Sequence, residues 1–290
     1  MVTTPPVATR VFAGSGGLPL AADCYGSPKP PAVLFAHGFG QTRHSWKTTA
    51  LSAARAGFFA VAADGRGHGD SGRNPSHRPY QVTDFVADLR ALAQMLPGRP
   101  ALVGASMGGL LGLLAEGSSP EGLFSALVLV DIAPRWEEQG VARILAFMAA
   151  HPEGFASLTE AQQAIARYLP HRQADRDPER LRPLLREHAD GRWRWHWDPR
   201  LLSELPRDQA AYRPWLCEAA RRIRIPTLLV SGGRSDVLSA DGIADFRALV
   251  PHAEHVQIPE ATHLVAGDAN DAFAEAVLDF LSRVARRRAA

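Results

Sequence analysis

The stretch Gly104-Ala105-Ser106-Met107-Gly108-Gly109 decides the fold, because it stands between a short apolar run at 101–103 and a helical pattern at 107–115. A Gly-x-Ser-x-Gly motif in that setting is typical of a nucleophile elbow, a sharp turn that exposes the serine hydroxyl. Its glycines lack Cβ atoms, so strand and helix can approach closely. The first amides of the helix favour negative charge beside the serine. A flexible strand–helix turn would fit the same letters, so the motif needs partners elsewhere in the chain.

Short apolar runs alternate with longer helical patterns on both sides of this motif. Strands are predicted at 32–37, 58–64, 101–103, 127–131, 227–233 and 255–258, and helices at 45–56, 82–96, 107–115, 240–249 and 269–286. This alternation is typical of a parallel sheet covered by helices. From about residue 133 to 220 the pattern breaks into helical segments with little strand character, which predicts an insertion.

A serine hydroxyl is a weak nucleophile near neutral pH and needs a base within hydrogen-bond reach. His263 lies in the loop after the last predicted strand, and Asp236 lies just beyond the strand that begins at 227. The chain order Ser, Asp, His is the order expected for this kind of elbow. We therefore predict Ser106, Asp236 and His263 as the catalytic set. Asp131 also ends a strand near the same edge and is the alternative acid; otherwise it would bind the start of the insertion or act as a second anion in the pocket.

Acyl transfer also requires N–H donors that face the developing oxyanion. The amide of Met107, directly after the serine, is one predicted donor. The loop after the first buried strand reads His37-Gly38-Phe39-Gly40 and supplies the second, the Phe39 amide. His37 is predicted to order this loop rather than to transfer protons.

The motifs HGFG, DGRGHGDSG (64–72), GASMGG, GGRSD and ATH together resemble the α/β-hydrolase superfamily over nearly the whole chain. The resemblance is to lidded serine esterases and to cofactor-free haloperoxidase or perhydrolase members. It implies an α/β fold with a mostly parallel eight-stranded sheet, flanking helices and a helical lid after the sixth strand. On that basis 1–132 and 221–290 form the core and 133–220 the lid, and neither metal nor organic cofactor is expected. The DGRGHGDSG loop is expected to shape a turn that borders the pocket.

The resemblance favours hydrolysis of small to medium carboxylic esters through an acyl-enzyme. Perhydrolysis or carbon–carbon bond hydrolysis by the same three residues is an alternative, and a non-catalytic ligand receptor is a remote one. Epoxide hydrolases and haloalkane dehalogenases of this fold use an aspartate at the elbow, so the serine at 106 argues against alkyl-enzyme chemistry.

The residues that flank the catalytic set in sequence suggest an apolar acyl pocket, with Trp136, Leu238 and Leu264 in its wall. The segment 192–197 alternates basic residues with tryptophans. If it is extended, three indoles share one face, and Arg192, Arg194 and His196 share the other. We expect those indoles to pack the lid onto itself or onto the core, rather than to form an aromatic platform for a ligand or a nucleic-acid surface.

The composition of the 290 residues is that of an ordinary globular protein, with 46% hydrophobic and 21% charged residues. A net charge of +2 offers no field for nucleic acid. The first ten residues do not resemble a secretory signal, and no apolar run approaches the ~20 residues needed to span a bilayer. The two cysteines are not expected to pair. These features predict a cytoplasmic protein without nucleic-acid or membrane partners, and they leave a homo-oligomer open. The small-molecule ester substrate is what the resemblance implies.

Overall fold

Eight strands form one sheet in the computed structural model, which describes residues 7–29, 31–169, 177–205, 209–268 and 270–289. The strands of this sheet are β1 (Val7–Ala13), β2 (Pro19–Tyr25), β3 (Ala32–Ala36), β4 (Phe59–Ala63), β5 (Ala101–Ala105), β6 (Leu127–Val130), β9 (Thr227–Gly232) and β10 (Glu254–Ile258). Two further strands, β7 (Leu185–Glu187) and β8 (Trp193–Trp195), form a separate antiparallel pair.

The order across the sheet is β1-β2-β4-β3-β5-β6-β9-β10. β1 pairs with β2 and β2 with β4 in antiparallel register, and every other pair in the sheet is parallel. The predicted mostly parallel eight-stranded sheet is therefore confirmed. Because the parallel strands point the same way, the loops that follow β3, β4, β5, β6, β9 and β10 meet at one edge, where ligands bind in open α/β sheets.

Helices cover both faces of the sheet, because alternate strand residues point to opposite faces and both sets are apolar. Leu34 and Val61 belong to the core on one face, which α2, α3, α7 and α8 cover. Phe35 and Ala62 belong to the core on the other face, which α1 and α10 cover. The helices are α1 (Lys47–Arg55), α2 (Val82–Met95), α3 (Met107–Gly117), α4 (Glu138–Ala149), α5 (Leu158–Tyr168), α6 (Leu201–Glu204), α7 (Gln209–Arg221), α8 (Ala240–Leu249), α9 (Val265–Asp268) and α10 (Asn270–Ala289).

The chain between β6 and β9, residues 131–226, leaves the sheet and returns to it; we call it the β6–β9 segment. It contains α4 to α7 and the β7–β8 pair, so two strands of three residues each lie in the region predicted to have helical segments and little strand character. The tryptophans at 195 and 197 stack on each other, with ring centroids 4.8 Å apart, as expected for indoles that pack the segment itself. A small satellite core that includes Phe155 and Leu185 lies within the segment.

Cys24 is buried, Cys217 is half-buried, and both are free thiols. Among the helices in the described ranges, none combines the length and the apolar character needed to cross a bilayer.

Candidate active site

The elbow at Ser106 has a strained backbone. Ser106 has φ of 47° and ψ of −116°, outside the regions that L-residues ordinarily adopt. Among the described non-glycine residues, only Ser106 and Asp131 have a positive φ. Strain of this kind persists where the surrounding structure imposes it, and it is concentrated at functional sites.

Close packing imposes the strained turn. A Cβ on Gly104 would lie 2.5 Å from the carbonyl oxygen of Gly108, and a Cβ on Gly108 would lie 2.4 Å from that of Ala36. Both positions therefore have to be glycine for α3 to begin directly against β3 and β5. The result places Ser106 at the N-terminus of α3, where unpaired amides face outward.

Asp131 occupies the matching position at the end of the adjacent strand. The Ser106 amide donates to the carbonyl of Val130 at 3.0 Å, and the Asp131 amide donates to that of Val230 at 2.7 Å. Ser106 and Asp131 thus leave neighbouring strands, β5 and β6, at the same level of the sheet edge.

The Asp131 carboxylate is fully buried and binds His263. Its Oδ2 lies 2.8 Å from His263 Nδ1 and also accepts a short hydrogen bond from the Ser235 hydroxyl. Its Oδ1 accepts from the Gly232 amide at 2.8 Å. Because Oδ2 accepts from the imidazole, the tautomer of the ring is fixed: Nδ1 carries the proton and Nε2 keeps its lone pair.

The predicted pairing of Asp236 with His263 is therefore corrected, because the structure places Asp131 against the imidazole. Asp236 lies four residues beyond β9, and its half-exposed side chain forms an ion pair with Arg143 on α4. The Ser235 hydroxyl, which binds Asp131, also accepts from the amides of Val237 and Leu238 at 3.1 Å. The turn at 235–238 thus directs Ser235 toward Asp131 and leaves the neighbouring Asp236 half-exposed at the surface.

The loop at 37–40 lies against the serine. A Cβ on Gly38 would lie 3.3 Å from Ser106 Cβ. The Gly38 carbonyl accepts from the Gln41 amide at 3.1 Å and from His37 Nδ1 at 2.8 Å, while the Gly38 amide donates to Gln41 Oε1 at 3.0 Å. The carbonyl of the Gly38–Phe39 peptide is thus fixed. Within the part of the chain that the structure describes, no group accepts from the Phe39 amide at the other side of that peptide.

Two buried imidazoles, those of His37 and His68, hold this loop from the core side. His37 Nε2 accepts from the Gly65 amide at 2.9 Å, so its Nδ1 is the donor to Gly38. His68 Nε2 accepts from the Gly40 amide at 3.2 Å, and its Nδ1 donates to the Arg66 carbonyl at 3.0 Å. Burial lowers the pKa of His37 and places the pKa of His68 well below its usual range. Both rings are therefore neutral, and the prediction that His37 orders the loop agrees with its contacts.

The loop at 64–72 is held by buried charges. Arg43 binds Asp64, lies 3.1 Å from Asp23 Oδ1 and 2.8 Å from Asp70 Oδ2, and these carboxylates raise its pKa against the opposing effect of burial. Arg66 is paired with both oxygens of Asp88, at 2.6 and 2.7 Å. These pairs give the loop the structural role expected for it.

The residues predicted to line the pocket differ in position. Trp136 is nearly buried and borders an open groove of about 630 Å³ together with Arg143 and Asp236. Leu238 is buried in the main core, and Leu264 is half-buried directly after His263. Within the described ranges, no three His, Cys, Asp or Glu side chains are grouped so that they could hold a metal ion.

Comparison with known proteins identifies the family of this chain. A family model described as the alpha/beta hydrolase family matches residues 33–276. The chain belongs to this family. It is 29% identical over 252 residues to the 3-hydroxybutyrate-oligomer hydrolase of Cupriavidus necator, covering 82% of this chain and 85% of that protein. It is 27% identical to esterase Rv0045c of Mycobacterium tuberculosis, over 85% of this chain and 81% of that one.

Solved structures of this alpha/beta hydrolase's relatives have the same fold. E-2-(acetamidomethylene)succinate hydrolase superposes with a TM-score of 0.82 over 96% of this chain and all of that chain, at 24% identity. A structure of the Mycobacterium tuberculosis esterase Rv0045c superposes with a TM-score of 0.74 at 26% identity, over 97% of this chain and 93% of that one. The family match places this chain among the alpha/beta hydrolases, and these relatives are named as hydrolases or esterases.

Sequence reasoning gave too little weight to Asp131 and did not assign His68 or His196 to the site. The available signal for Asp131 was its position directly after an apolar strand, LVLVD, without intervening residues. No local pattern distinguishes His68 or His196 from the other histidines, because the Gly40 backbone groups that they bind lie 28 and 156 positions away in the chain.

Proposed function

We propose that this alpha/beta hydrolase is a serine hydrolase that cleaves small to medium carboxylic esters through an acyl-enzyme on Ser106. His263 is the general base, and Asp131 orients it. The amides of Phe39 and Met107 stabilise the oxyanion. In this proposal the core comprises residues 1–132 and 221–290, and residues 133–220 form a cap over the site.

One observation carries the proposal: His263 Nδ1 lies 2.8 Å from a fully buried carboxylate at the sheet edge that also bears the strained Ser106. A buried carboxylate that accepts the Nδ1 proton directs the basic Nε2 outward and stabilises the imidazolium that forms when the serine loses its proton. A carboxylate with only a structural role would not need to be paired with an imidazole at the sheet edge where Ser106 also lies.

The chemistry then follows in two half-reactions. His263 Nε2 takes the Ser106 proton as Oγ attacks the ester carbonyl, and the carbonyl oxygen becomes an oxyanion. Collapse of the tetrahedral species breaks the ester bond, and the imidazolium returns its proton to the departing alkoxide. Water then attacks the acyl-serine with His263 as base, the acyl–Oγ bond breaks, and the imidazolium returns the proton to Ser106 Oγ as the carboxylic acid leaves. Each oxyanion donor lowers the barrier of such a reaction by a few kcal/mol.

The contacts of the β6–β9 segment support a site of limited size. The Met148 methyl group and the Trp197 ring reach the loop at Gly40: a Cβ there would lie 2.7 Å from Met148 Cε and 3.3 Å from Trp197 Cζ3. Phe147 stacks on Tyr168, with ring centroids 4.1 Å apart, and contacts Trp195 at 5.8 Å. We expect short or medium acyl chains to fit best beside these rings, with Trp136, Leu238 and Leu264 in the pocket wall.

A second candidate substrate class is esters of short hydroxy acids. The similarity to the Cupriavidus necator oligomer hydrolase favours it, because that relative covers most of this chain. Perhydrolysis and carbon–carbon bond hydrolysis would use the same Ser106, His263 and Asp131. Product analysis on p-nitrophenyl esters, 3-hydroxybutyrate dimers and a vinylogous diketone, with and without peroxide, separates these activities.

Labelling with a fluorophosphonate tests the proposal without knowledge of the substrate. The wild-type chain should be labelled on Ser106, and Ser106→Ala should abolish labelling and lower kcat on p-nitrophenyl esters by several orders of magnitude. Ser235→Ala is the comparison at a second serine of the same edge and should retain labelling at 106. An unlabelled wild-type protein, or Ser106→Ala with near wild-type turnover, refutes the proposed nucleophile.

A further inference from the structure

Both polar groups of the Gly40 backbone are bound by imidazoles from different parts of the chain. The Gly40 amide donates to His68 Nε2 at 3.2 Å, from the loop after β4. The Gly40 carbonyl lies 3.1 Å from His196 Nε2, from the β6–β9 segment. Gly40 has φ of 75°, so the loop turns sharply at this residue, next to the Phe39 amide. The peptide groups before and after Gly40 are therefore each held by one imidazole.

The bonding partners determine the tautomer of His196. Its Nδ1 accepts from the Gly69 amide at 2.7 Å, so Nδ1 carries no proton and Nε2–H donates to the Gly40 carbonyl. The residue is 1% exposed, and its ring lies 6.0 Å from that of His68. His196 thus connects three stretches of backbone: the loop with Phe39, the loop after β4, and the β6–β9 segment that carries the ring.

The β6–β9 segment has other attachments to the core nearby. The Asp198 amide donates to the Gly67 carbonyl at 2.8 Å, and Tyr80 Oη donates to Asp198 Oδ2 at 2.9 Å. Arg186 forms an ion pair with Asp70 at 2.5 Å. None of these contacts touches residues 37–40. Attachment of the segment does not depend on His196, whereas the bond to Gly40 does.

We propose that His196 is a positioning residue for the oxyanion loop, through its Nε2–H bond to the Gly40 carbonyl. This inference rests on the proposed function, because it assigns the Phe39 amide to the oxyanion. His37 and His68 fix the loop from the core side, and His196 fixes it from the segment that borders the substrate. The position of the Phe39 amide then depends on the β6–β9 segment as well as on the core.

Two near-isosteric substitutions separate the two bonds of the ring. In His196→Gln the side-chain amide nitrogen takes the place of Nε2 and can still donate to Gly40. In His196→Asn the shorter side chain places an oxygen near Nδ1, where it accepts from Gly69 but does not reach Gly40. A role in positioning requires the first variant to be active and the second impaired. A role only in attaching the segment requires the reverse, or equal effects.

We expect His196→Asn to lower kcat on p-nitrophenyl acetate about tenfold to a hundredfold with KM changed less than about threefold, because displacing an oxyanion donor affects the transition state rather than binding. Fluorophosphonate labelling should slow in parallel. His196→Gln should remain within about threefold of wild type. Arg186→Gln, which loosens the same segment without touching residues 37–40, should keep wild-type kcat.

Amide exchange supplies a readout that does not need activity. Hydrogen–deuterium exchange of peptides covering residues 37–42 should be faster in His196→Asn than in wild type and near wild type in His196→Gln. Equal kcat and equal exchange in the two variants overturn the inference. A third outcome combines faster exchange in His196→Asn with a wild-type protein that the fluorophosphonate does not label. That outcome refutes the proposed function and leaves the positioning contact in place.

Discussion

Replacement of Asp131 by asparagine tests the orientation of His263 without changing the volume of the side chain. Oδ1 accepts from the Gly232 amide, so the asparagine oxygen has to occupy that position. The NH2 group is then placed where Oδ2 faces His263 Nδ1. A donor at that point requires an unprotonated Nδ1, which moves the proton to Nε2. The imidazole then has no lone pair for the Ser106 proton.

The expected loss is large because the wrong tautomer removes the general base. In serine proteases the corresponding change lowers kcat about 10⁴-fold. We expect Asp131→Asn to lower kcat/KM by about 10³ to 10⁴, which corresponds to about 4 to 5.5 kcal/mol of transition-state stabilisation. Asp236→Asn is the matched control: its partner Arg143 is mostly exposed, and an exposed ion pair contributes about 0–1 kcal/mol to stability. Its kcat/KM should stay within about threefold of wild type.

Steady-state hydrolysis of a p-nitrophenyl ester series measures both variants, and circular dichroism with thermal unfolding verifies that each is folded. Comparable losses in Asp131→Asn and Asp236→Asn would refute the assignment, as would a large loss in Asp236→Asn alone. A folded Asp131→Asn enzyme with wild-type kcat/KM would show that the hydrogen bond to His263 does not set its tautomer during turnover.

Two further predictions concern stability. Gly108→Ala should reduce the free energy of unfolding by about 3 kcal/mol or more, because the new Cβ would lie 2.4 Å from the Ala36 carbonyl oxygen. This loss outweighs the higher intrinsic helix propensity of alanine. A neutral or stabilising result in urea unfolding would show that α3 can move away from β3. Burial lowers the pKa of His196 from 6.5 to about 4, so the unfolded chain binds more protons than the folded chain below about pH 6.5. The stability due to the neutral ring is therefore lost as the pH falls from about 6.5 to 4. Urea unfolding of His196→Gln between pH 6 and 5 should show a pH slope smaller by about 1 kcal/mol per pH unit, and an unchanged slope would contradict a neutral buried ring.

The sheet could be predicted from the sequence because each central strand carries its own signal. Apolar runs at 32–37 and 58–64 correspond to β3 and β4 within one or two residues. Parallel strands that are buried on both faces are continuous apolar runs, and the glycines that follow mark the sheet edge. The elbow was evident for the same reason: its glycines are required by close backbone contacts that no side chain could tolerate.

The acid could not be chosen from the sequence because two carboxylates follow strands at the same edge. Asp131 turns toward His263 through a backbone with φ of 51°, a conformation that sequence patterns do not predict for aspartate. Asp236 is drawn outward by Arg143, which lies 93 positions earlier in the chain and on another element. The competition is decided by tertiary contacts.

His196 illustrates a different limit. The alternation at 192–197 grouped His196 with Arg192 and Arg194 on one polar face, as an extended strand requires. β8 ends at Trp195, so the alternation of faces does not continue to His196, whose ring is buried. The strands β7 and β8 are each three residues long, too short to show a period of their own.

The β6–β9 segment begins at Asp131 itself, yet the carboxylate of that residue is bound by Gly232, Ser235 and His263, which all follow the segment in the chain. The Asp131 side chain therefore joins the beginning of the β6–β9 segment to the chain that follows it. The intervening residues could therefore be exchanged for another segment without loss of the contacts of Asp131, provided that the new segment supplied its own contact to Gly40. Breadth of substrate choice and constancy of chemistry would then be separable properties of one scaffold.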